Sequence, residues 1–331
     1  MNPPVHIILN PASGTGKGRK LRSEIERELA RRGVTMTVVE TESRGHAVEL
    51  ARAAALNGVG KVIAAGGDGT VHEVVNGLLQ ARLAGARHIP ALGIIPIGTG
   101  NDFIKSVNGG TDRNLAYQII AHGVVRYFDL GRVVWNGGAE YFMNGVGTGI
   151  DVEVLRQITK YRRLPGVVSY LLGLFKALLR FRPIPVRLRI DGEDWKERVM
   201  IVAVGNGFCL GGGFRLFPHA RADDGHLDVC VVERVNLIDI MELLPRILVG
   251  RHPGHRRVLM RPAEAVEIVV ESDRPVAFQV DGELREPESA DRLEIEIVRA
   301  VLPVLTGGPL HASISELQPI WAGRPAPQAL V

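Results

Sequence analysis

Lys61-Val62-Ile63-Ala64-Ala65-Gly66-Gly67-Asp68-Gly69-Thr70 is a short apolar run that breaks into a glycine-rich turn bearing one carboxylate and one hydroxyl. A run of this length suits a buried strand, and residues 71–83 behind it read as a helix. The turn therefore stands where a strand hands over to a helix. Glycine there lets backbone N–H groups approach phosphate closely, and the aspartate can meet a metal or a proton in transit.

Outward from that turn the same alternation continues. Residues 5–9 read as a buried strand, and residues 19–32 as a helix with Leu21, Ile25 and Leu29 at helical spacing. Gly33 stops that helix before a second strand over residues 34–40; a helix over 46–56 follows, and residues 91–95 supply a fourth strand. A βαβα order calls for a parallel sheet with helices on both faces, and ligands then bind outside the carboxyl ends of the strands. Four loops share that edge: residues 10–18, 41–45, 66–70 and 96–102, all rich in Gly, Ser, Thr and Asn. A purely structural sheet has no need of four such loops on one side, so the edge is read as an anion site, most naturally for a nucleotide.

From about residue 125 the pattern changes to strands joined by short turns. Residues 125–135 and 140–144 flank Asn136-Gly137-Gly138, a hairpin signal, and residues 186–190 and 198–204 flank Asp191-Gly192-Glu193-Asp194. Further strands read at 227–232, 265–271, 276–280 and 293–298. The fold expected is α/β: an N-terminal parallel-sheet nucleotide-binding domain over 1–128, a C-terminal antiparallel β-sandwich or barrel over 129–306, and a loosely held tail over 307–331.

Composition agrees with a soluble globular protein: 331 residues, 46% apolar and 23% charged. The formal charge of +4 admits anionic ligands or a membrane surface but does not by itself imply nucleic acid. Cys209 and Cys230 have apolar neighbours and no CxxC spacing, which fits buried thiols in a reduced, cytoplasmic protein. The N-terminus lacks the basic and apolar regions of a signal peptide, and no apolar run is long enough to span a bilayer.

Two common nucleotide patterns fail. A P-loop ending at Lys17 would need Gly at Pro11 and Ser or Thr at Gly18, and Gly98-Thr99-Gly100 runs into Asn101, Asp102 and Phe103 without completing GxGxxG. What the loops do resemble, through Asn10-Pro11-Ala12-Ser13-Gly14, the 66–70 turn with His72-Glu73-Val74-Val75-Asn76-Gly77, and Ile95 to Phe103, is the diacylglycerol kinase catalytic-domain superfamily. Asn144 to Asp151, Gly205-Asn206-Gly207, Gly211-Gly212-Gly213-Phe214, residues 218–228 and Val280-Asp281-Gly282-Glu283 extend the match over roughly residues 5–300 in order. Within the superfamily, which also holds sphingosine and ceramide kinases, the chain is similar to the bacterial soluble diacylglycerol kinase-like lipid kinases.

The resemblance implies an active site in the cleft between the two domains and a transfer of the γ-phosphate of ATP to a lipid hydroxyl, with Mg²⁺. It puts ATP against Asn10, Ser13, Gly14, Thr41, Gly66, Gly67, Asp68, Gly69, Thr70, Val71, His72 and Thr99. Asn101, in the matched Gly98 to Asp102 motif, and Lys17, which can neutralise phosphate charge, are added to that set. Asp68 matches the family's essential aspartate, an organiser of Mg²⁺-ATP, whereas Asp281 and Glu283 match the Asp-Gly-Glu assigned as the base. Alone, Asp281-Gly282 would be an ordinary β-turn. Residues 221–226 match a structural Mg²⁺ loop, held by the carbonyls of Arg221 and His226 and the carboxylate of Asp224; oxygen-only ligation suits that ion.

Residues 165–183 form an apolar stretch with basic flanks, too short to cross a bilayer, that either packs in a core or meets lipid. The partners expected are a diacylglycerol-like lipid substrate and, peripherally, a membrane surface; no nucleic acid is expected, and a homodimer is left open. The rivals are a sphingosine- or ceramide-type kinase, an NAD kinase, which shares the 66–70 turn but not the 98–103 motif, and a non-catalytic nucleotide or lipid sensor.

Overall fold

The computed structural model describes residues 4–108, 110–160, 177, 181–271 and 275–307. The chain divides into two compact units, Met1–Asp129 with Arg299–Val331, and Leu130–Val298. In the first, β1 (Val5–Leu9), α1 (Ser13–Arg31), β2 (Met36–Glu40), α2 (His46–Leu56), β3 (Lys61–Gly66), α3 (Asp68–Leu83) and β4 (Ala91–Pro96) alternate, followed by α4 (Asp102–Asn108) and α5 (Arg113–His122). The strands lie parallel in the order β2-β1-β3-β4, with Ile7 opposite both Val38 and Ile63. Ile7, Leu9, Ile63 and Ile95 are buried in one core with Ile25 and Leu29 of α1 and Ile119 and Ile120 of α5, and the intervening Ile8, Val62 and Ala64 are fully buried too, which explains the apolar strands: both faces are covered.

Two of the boundaries that differ from the sequence reading bear on the loops. Helix α3 begins at Asp68, with Gly67 as its N-cap, so Asp68, Gly69 and Thr70 form its first turn. The phosphate-like turn is thus itself a helix N-terminus, where unpaired N–H groups and the helix dipole favour an anion. Helix α1 begins at Ser13 instead of residue 19, but Gly14, Thr15 and Gly16 have φ of 61°, 60° and 87°, so the regular helix starts beyond them.

The second unit is built from antiparallel strands. Its elements are the later part of β5 (Val124–Trp135), β6 (Gly138–Phe142), β7 (Gly145–Gly149), α6 (Ile150–Lys160), β8 (Ile184–Ile190), β9 (Glu193–Gly205), β10 (Leu227–Glu233), α7 (Leu237–Val249), β11 (Val258–Ala263), β12 (Ala265–Val270), β13 (Phe278–Val280), β14 (Glu283–Arg285) and the first part of β15 (Arg292–Thr306). Both expected hairpins form: β5 pairs with β6 across Asn136-Gly137, and β8 with β9 across Asp191-Gly192. Asp191 and Gly192 have φ of 49° and 86°, the left-handed pair that a two-residue hairpin requires. Alternate residues of these strands fill one core, including Val186, Leu188, Val202, Val204, Val229 and Ile268, and Trp135 meets Phe278 edge to face at 5.1 Å.

The last strand does not stay in the second unit, as the 129–306 division expects. Arg292 to Glu296 pair with β12, whereas Val304 pairs in parallel with Leu92 of β4, extending the first unit's sheet. Between them Ala300 turns at φ 47°, and its N–H donates to Asp129 Oδ1 at 2.7 Å. The strands β7, β11 and β14 and the helices α4, α5, α6 and α7 were not read from the sequence. Most of the apolar 165–183 stretch, and the tail beyond residue 307, lie outside the described residues.

Candidate active site

The four loops at the carboxyl edge of the first sheet are tied to one another through the 66–70 turn and the helix it opens. Asn10, at the end of β1, donates from Nδ2 to Thr70 Oγ1 at 3.0 Å, while its Oδ1 accepts the N–H of Ala12 at 3.0 Å. Asp68 Oδ1 accepts the N–H of Asp102 at 2.6 Å and lies 3.4 Å from that of Phe103, so one aspartate caps α4 from the start of α3. Glu73, one turn into α3, accepts from the N–H groups of Gly45 and Ala47 at 2.9 and 3.2 Å and so caps α2. A Cβ on Gly98 would stand 2.5 Å from the Gly67 Cα, so the two glycine turns touch backbone to backbone. Asn101, held at φ 51°, donates from Nδ2 to the Gly98 carbonyl at 2.7 Å and closes the fourth loop.

The expected nucleotide residues do not all stand alike. Ser13, Gly14, Thr41, Gly67, Asp68 and Gly69 are half-buried at the loop edge, and Lys17 and Thr99 are exposed there. Gly66, Thr70, Val71, His72 and Asn101 are buried. His72 is buried inside α3, and its carbonyl accepts from Asn76 Nδ2 at 3.0 Å. Asp102, 3% exposed, forms an ion pair with Lys105 at 3.1 Å. Sequence reasoning missed Glu73 as a loop organiser, although its place three residues after Thr70 was quoted.

In the second unit, Asp281 and Gly282 turn β13 into β14 with φ of 49° and 84°. Both Asp281 oxygens face backbone donors: Oδ2 accepts from Met143 at 3.0 Å, and Oδ1 from Asn144 and Gly145 at 2.8 and 3.0 Å. Asp281 thus clamps the start of β7 to the turn, while the half-buried Glu283 follows as the first residue of β14. Beside this turn lies an apolar cavity of about 150 Å³, whose lining among the described residues includes Val154, Ile201, Leu210, Leu243, Ile247 and Gly282. Asp151 also borders it; burial, eased in part by its backbone and Gln279 hydrogen bonds, pushes its carboxyl up from the usual 3.8 to about 7.

Residues 4–133 match the family described as the diacylglycerol kinase catalytic domain, and residues 144–306 match the YegS C-terminal NAD kinase beta sandwich-like domain. A diacylglycerol kinase of Bacillus subtilis (strain 168) is 31% identical over 279 residues, covering 84% of this chain and 88% of the relative. The chain belongs to the diacylglycerol kinase family. A diacylglycerol kinase of Staphylococcus aureus (strain bovine RF122 / ET3-1) is 29% identical over 291 residues, covering 88% of this chain and 89% of that one. A Bacillus anthracis str. Sterne crystal structure ascribed to the same family is 27% identical, with a TM-score of 0.75 over 91% of this chain and 94% of its own.

Membership of this kinase family makes the chain an enzyme, which removes the passive sensor from the readings. The family's structural metal loop can be tested against the residues present. Asp224 Oδ1 accepts the N–H of His226 at 3.1 Å, and His226 Nδ1 lies 3.0 Å from the Asp224 carbonyl, so the loop is a tight turn. Among the described residues no three His, Cys, Asp or Glu side chains group as a metal cluster. One carboxylate with backbone carbonyls is an all-oxygen donor set of the kind a hard cation takes, and in that chemistry the loop fits. Cys209 and Cys230 are buried and not joined in a disulfide, with burial, then the Asp228 charge, pushing the Cys230 thiol up to about 12. Among the described residues no helix is long and apolar enough to cross a membrane.

Proposed function

We propose that this family member transfers the γ-phosphate of ATP to the hydroxyl of diacylglycerol or a related lipid alcohol, with Mg²⁺. The observation that carries the reading is the linkage of all four carboxyl-edge loops at the N-terminal end of α3, through Asn10, Gly67, Asp68 and Glu73. Phosphoryl transfer needs positioning and charge stabilisation more than covalent chemistry, and a rigid set of N–H donors at a helix N-terminus supplies both. Lys17, exposed at the rim, adds a positive charge for phosphate. Asp68 fixes the 98–102 loop through α4, and its carboxylate is the first-unit group suited to a Mg²⁺-bound nucleotide. Mg²⁺, when bound, neutralises charge developing on the phosphate oxygens.

On the acceptor side, the apolar cavity beside the Asp281-Gly282-Glu283 turn suits hydrocarbon and has little to offer NAD⁺. Glu283 is the base we assign: it takes the hydroxyl proton as the new O–P bond forms and ADP leaves. Asp281 holds the turn that carries it. The Asp224 loop would hold a structural Mg²⁺ through the carbonyls of Arg221 and His226. The membrane surface is met by α7, whose inner residues Leu243 and Ile247 line the cavity while Ile238, Met241, Leu248 and Val249 are exposed.

The test is Asp68→Ala. Lipid phosphorylation is expected to fall by about 10³-fold or more, the scale of losing a charge-organising group. An Asp68→Ala protein that is folded by circular dichroism and fully active would remove the assignment.

A further inference from the structure

The second unit's apolar cavity has a direction. Gln279 and Gly282 border it beside the 281–283 turn, and Asp151, which also borders it, hydrogen-bonds to Gln279. Every other side chain on the described lining is apolar. Gln279 lies opposite Gly147, and Gly147 opposite Ala203 of β9. Ile201 and then Met200 follow along β9, away from the turn, and both line the cavity. Met200 thus stands about 10 Å along the strand from the level of Gln279.

Neighbouring residues of a strand ordinarily face opposite ways. Here two of them do not. Val199, Val202 and Val204 enter one core of the second unit, whereas Met200, Ile201 and Ala203 enter the other. The cause is a β-bulge. Val232 of β10 lies opposite Ile201, but the next residue, Glu233, lies opposite Val199, which leaves Met200 as the extra residue on β9. A bulge re-aims a side chain, and this one brings an unbranched, adaptable thioether into the cavity, in the same core as Leu243 of α7.

The volume limits what fits. A methylene takes up close to the ~30 Å³ of a water molecule, so about 150 Å³ holds about five methylenes, the end of one hydrocarbon chain and not of two.

We propose that the acceptor lipid is recognised through a single acyl chain, so that single-chain lipid alcohols serve as acceptors, and that Met200 is the stop that limits how much of the chain is bound. This rests on the lipid-kinase reading and narrows its substrate class. The head of the lipid is left at the 281–283 turn, where the hydroxyl meets Glu283. A second chain, when there is one, stays outside the cavity.

The experiment measures KM for 1-monoacylglycerols with saturated chains of about four to ten carbons, each below its micelle concentration, on the full chain, on Met200→Ala and on Met200→Leu. On the wild type KM falls about fourfold per added methylene, the transfer value of one buried CH₂, until about five methylenes are bound, and is flat for longer chains. Met200→Ala removes the side chain beyond Cβ and opens room for about three more methylenes, so there the fall continues to the longest chain. Met200→Leu, which conserves volume, keeps the wild-type break. A slope that runs unbroken on the wild type, or no slope at all, overturns the proposal, and neither result needs a variant to fold. So does an unmoved break in a Met200→Ala protein that is folded by circular dichroism. Phosphorylation of dioctanoylglycerol but of no monoacylglycerol would overturn recognition through one chain. Phosphorylation of neither would instead bring down the lipid-kinase reading, and this inference with it.

Discussion

Gly98→Ala tests whether the contact between the two glycine turns sets the geometry of the nucleotide site. The added Cβ would stand 2.5 Å from the Gly67 Cα and 2.9 Å from Asn101 Oδ1, where ordinary contact begins at 3.4 Å. The nearest atom is backbone, so the strain cannot be relieved by turning a side chain; one loop must retreat by about 1 Å, the shortfall from ordinary contact. The loop that moves carries either the start of α3 or the Asn101-Asp102 segment that Asp68 caps. A displacement of that size at a phosphoryl-transfer site costs about 10²-fold in kcat/KM, and overpacking of this kind costs about 1–3 kcal/mol of stability. The assay compares steady-state kinetics and thermal unfolding with Gly60→Ala, where the new methyl meets nothing within 4 Å. Wild-type kcat and KM for ATP in Gly98→Ala would refute the idea that the 67–98 contact positions the phosphate loops.

The two carboxylates of the 281–283 turn separate by readout. Glu283→Gln lowers kcat by about 10²–10⁴-fold with an unchanged melting temperature, whereas Asp281→Asn, which turns an amide toward three backbone donors, lowers the melting temperature first. The reverse pattern would return the base to Asp281. Because the folded Asp151 carboxyl titrates near 7 against an ordinary 3.8, the native state holds a proton that the unfolded chain has released. Its contribution is complete below about pH 4 and is lost as pH rises through 7, so melting curves of Asp151→Asn lack the decline that the wild type shows across that interval. Ile238→Asp combined with Met241→Asp weakens binding to anionic vesicles and activity on them, while sparing activity on short-chain lipid in micelles. Unchanged vesicle binding would remove α7 as the membrane face.

Much of the first unit was legible because its signals are local. Each strand of residues 5–95 is an apolar run ended by glycine or a polar loop, and the parallel order follows from the alternation alone. The 66–70 turn was read correctly as a strand-to-helix junction, but its first helical turn includes Asp68, because glycine inside an N-terminus weakens the helix signal without preventing it. Helix α7 was missed despite a capping box between Asn236 and Asp239 and a left-handed Gly250 at its end. Pro245 within it reads as a breaker, and its apolar residues lie on two faces, one lining the cavity and one exposed. The cavity itself has no sequence signature: its walls come from residues 150 to 282, and periodicity says that Ile201 or Leu243 is apolar without saying that space is left between them. Asp151 lay in a quoted motif with no role attached; only its burial, which raises its carboxyl, sets it apart.

The most direct test of the lipid-kinase reading is incubation of the purified chain with γ-labelled ATP and Mg²⁺, offering diacylglycerol, sphingosine, ceramide and NAD⁺ as acceptors side by side. Label is expected in phosphatidic acid from diacylglycerol, lost on chelation of Mg²⁺ and absent from NADP⁺. Labelled NADP⁺ with no labelled lipid would contradict the account.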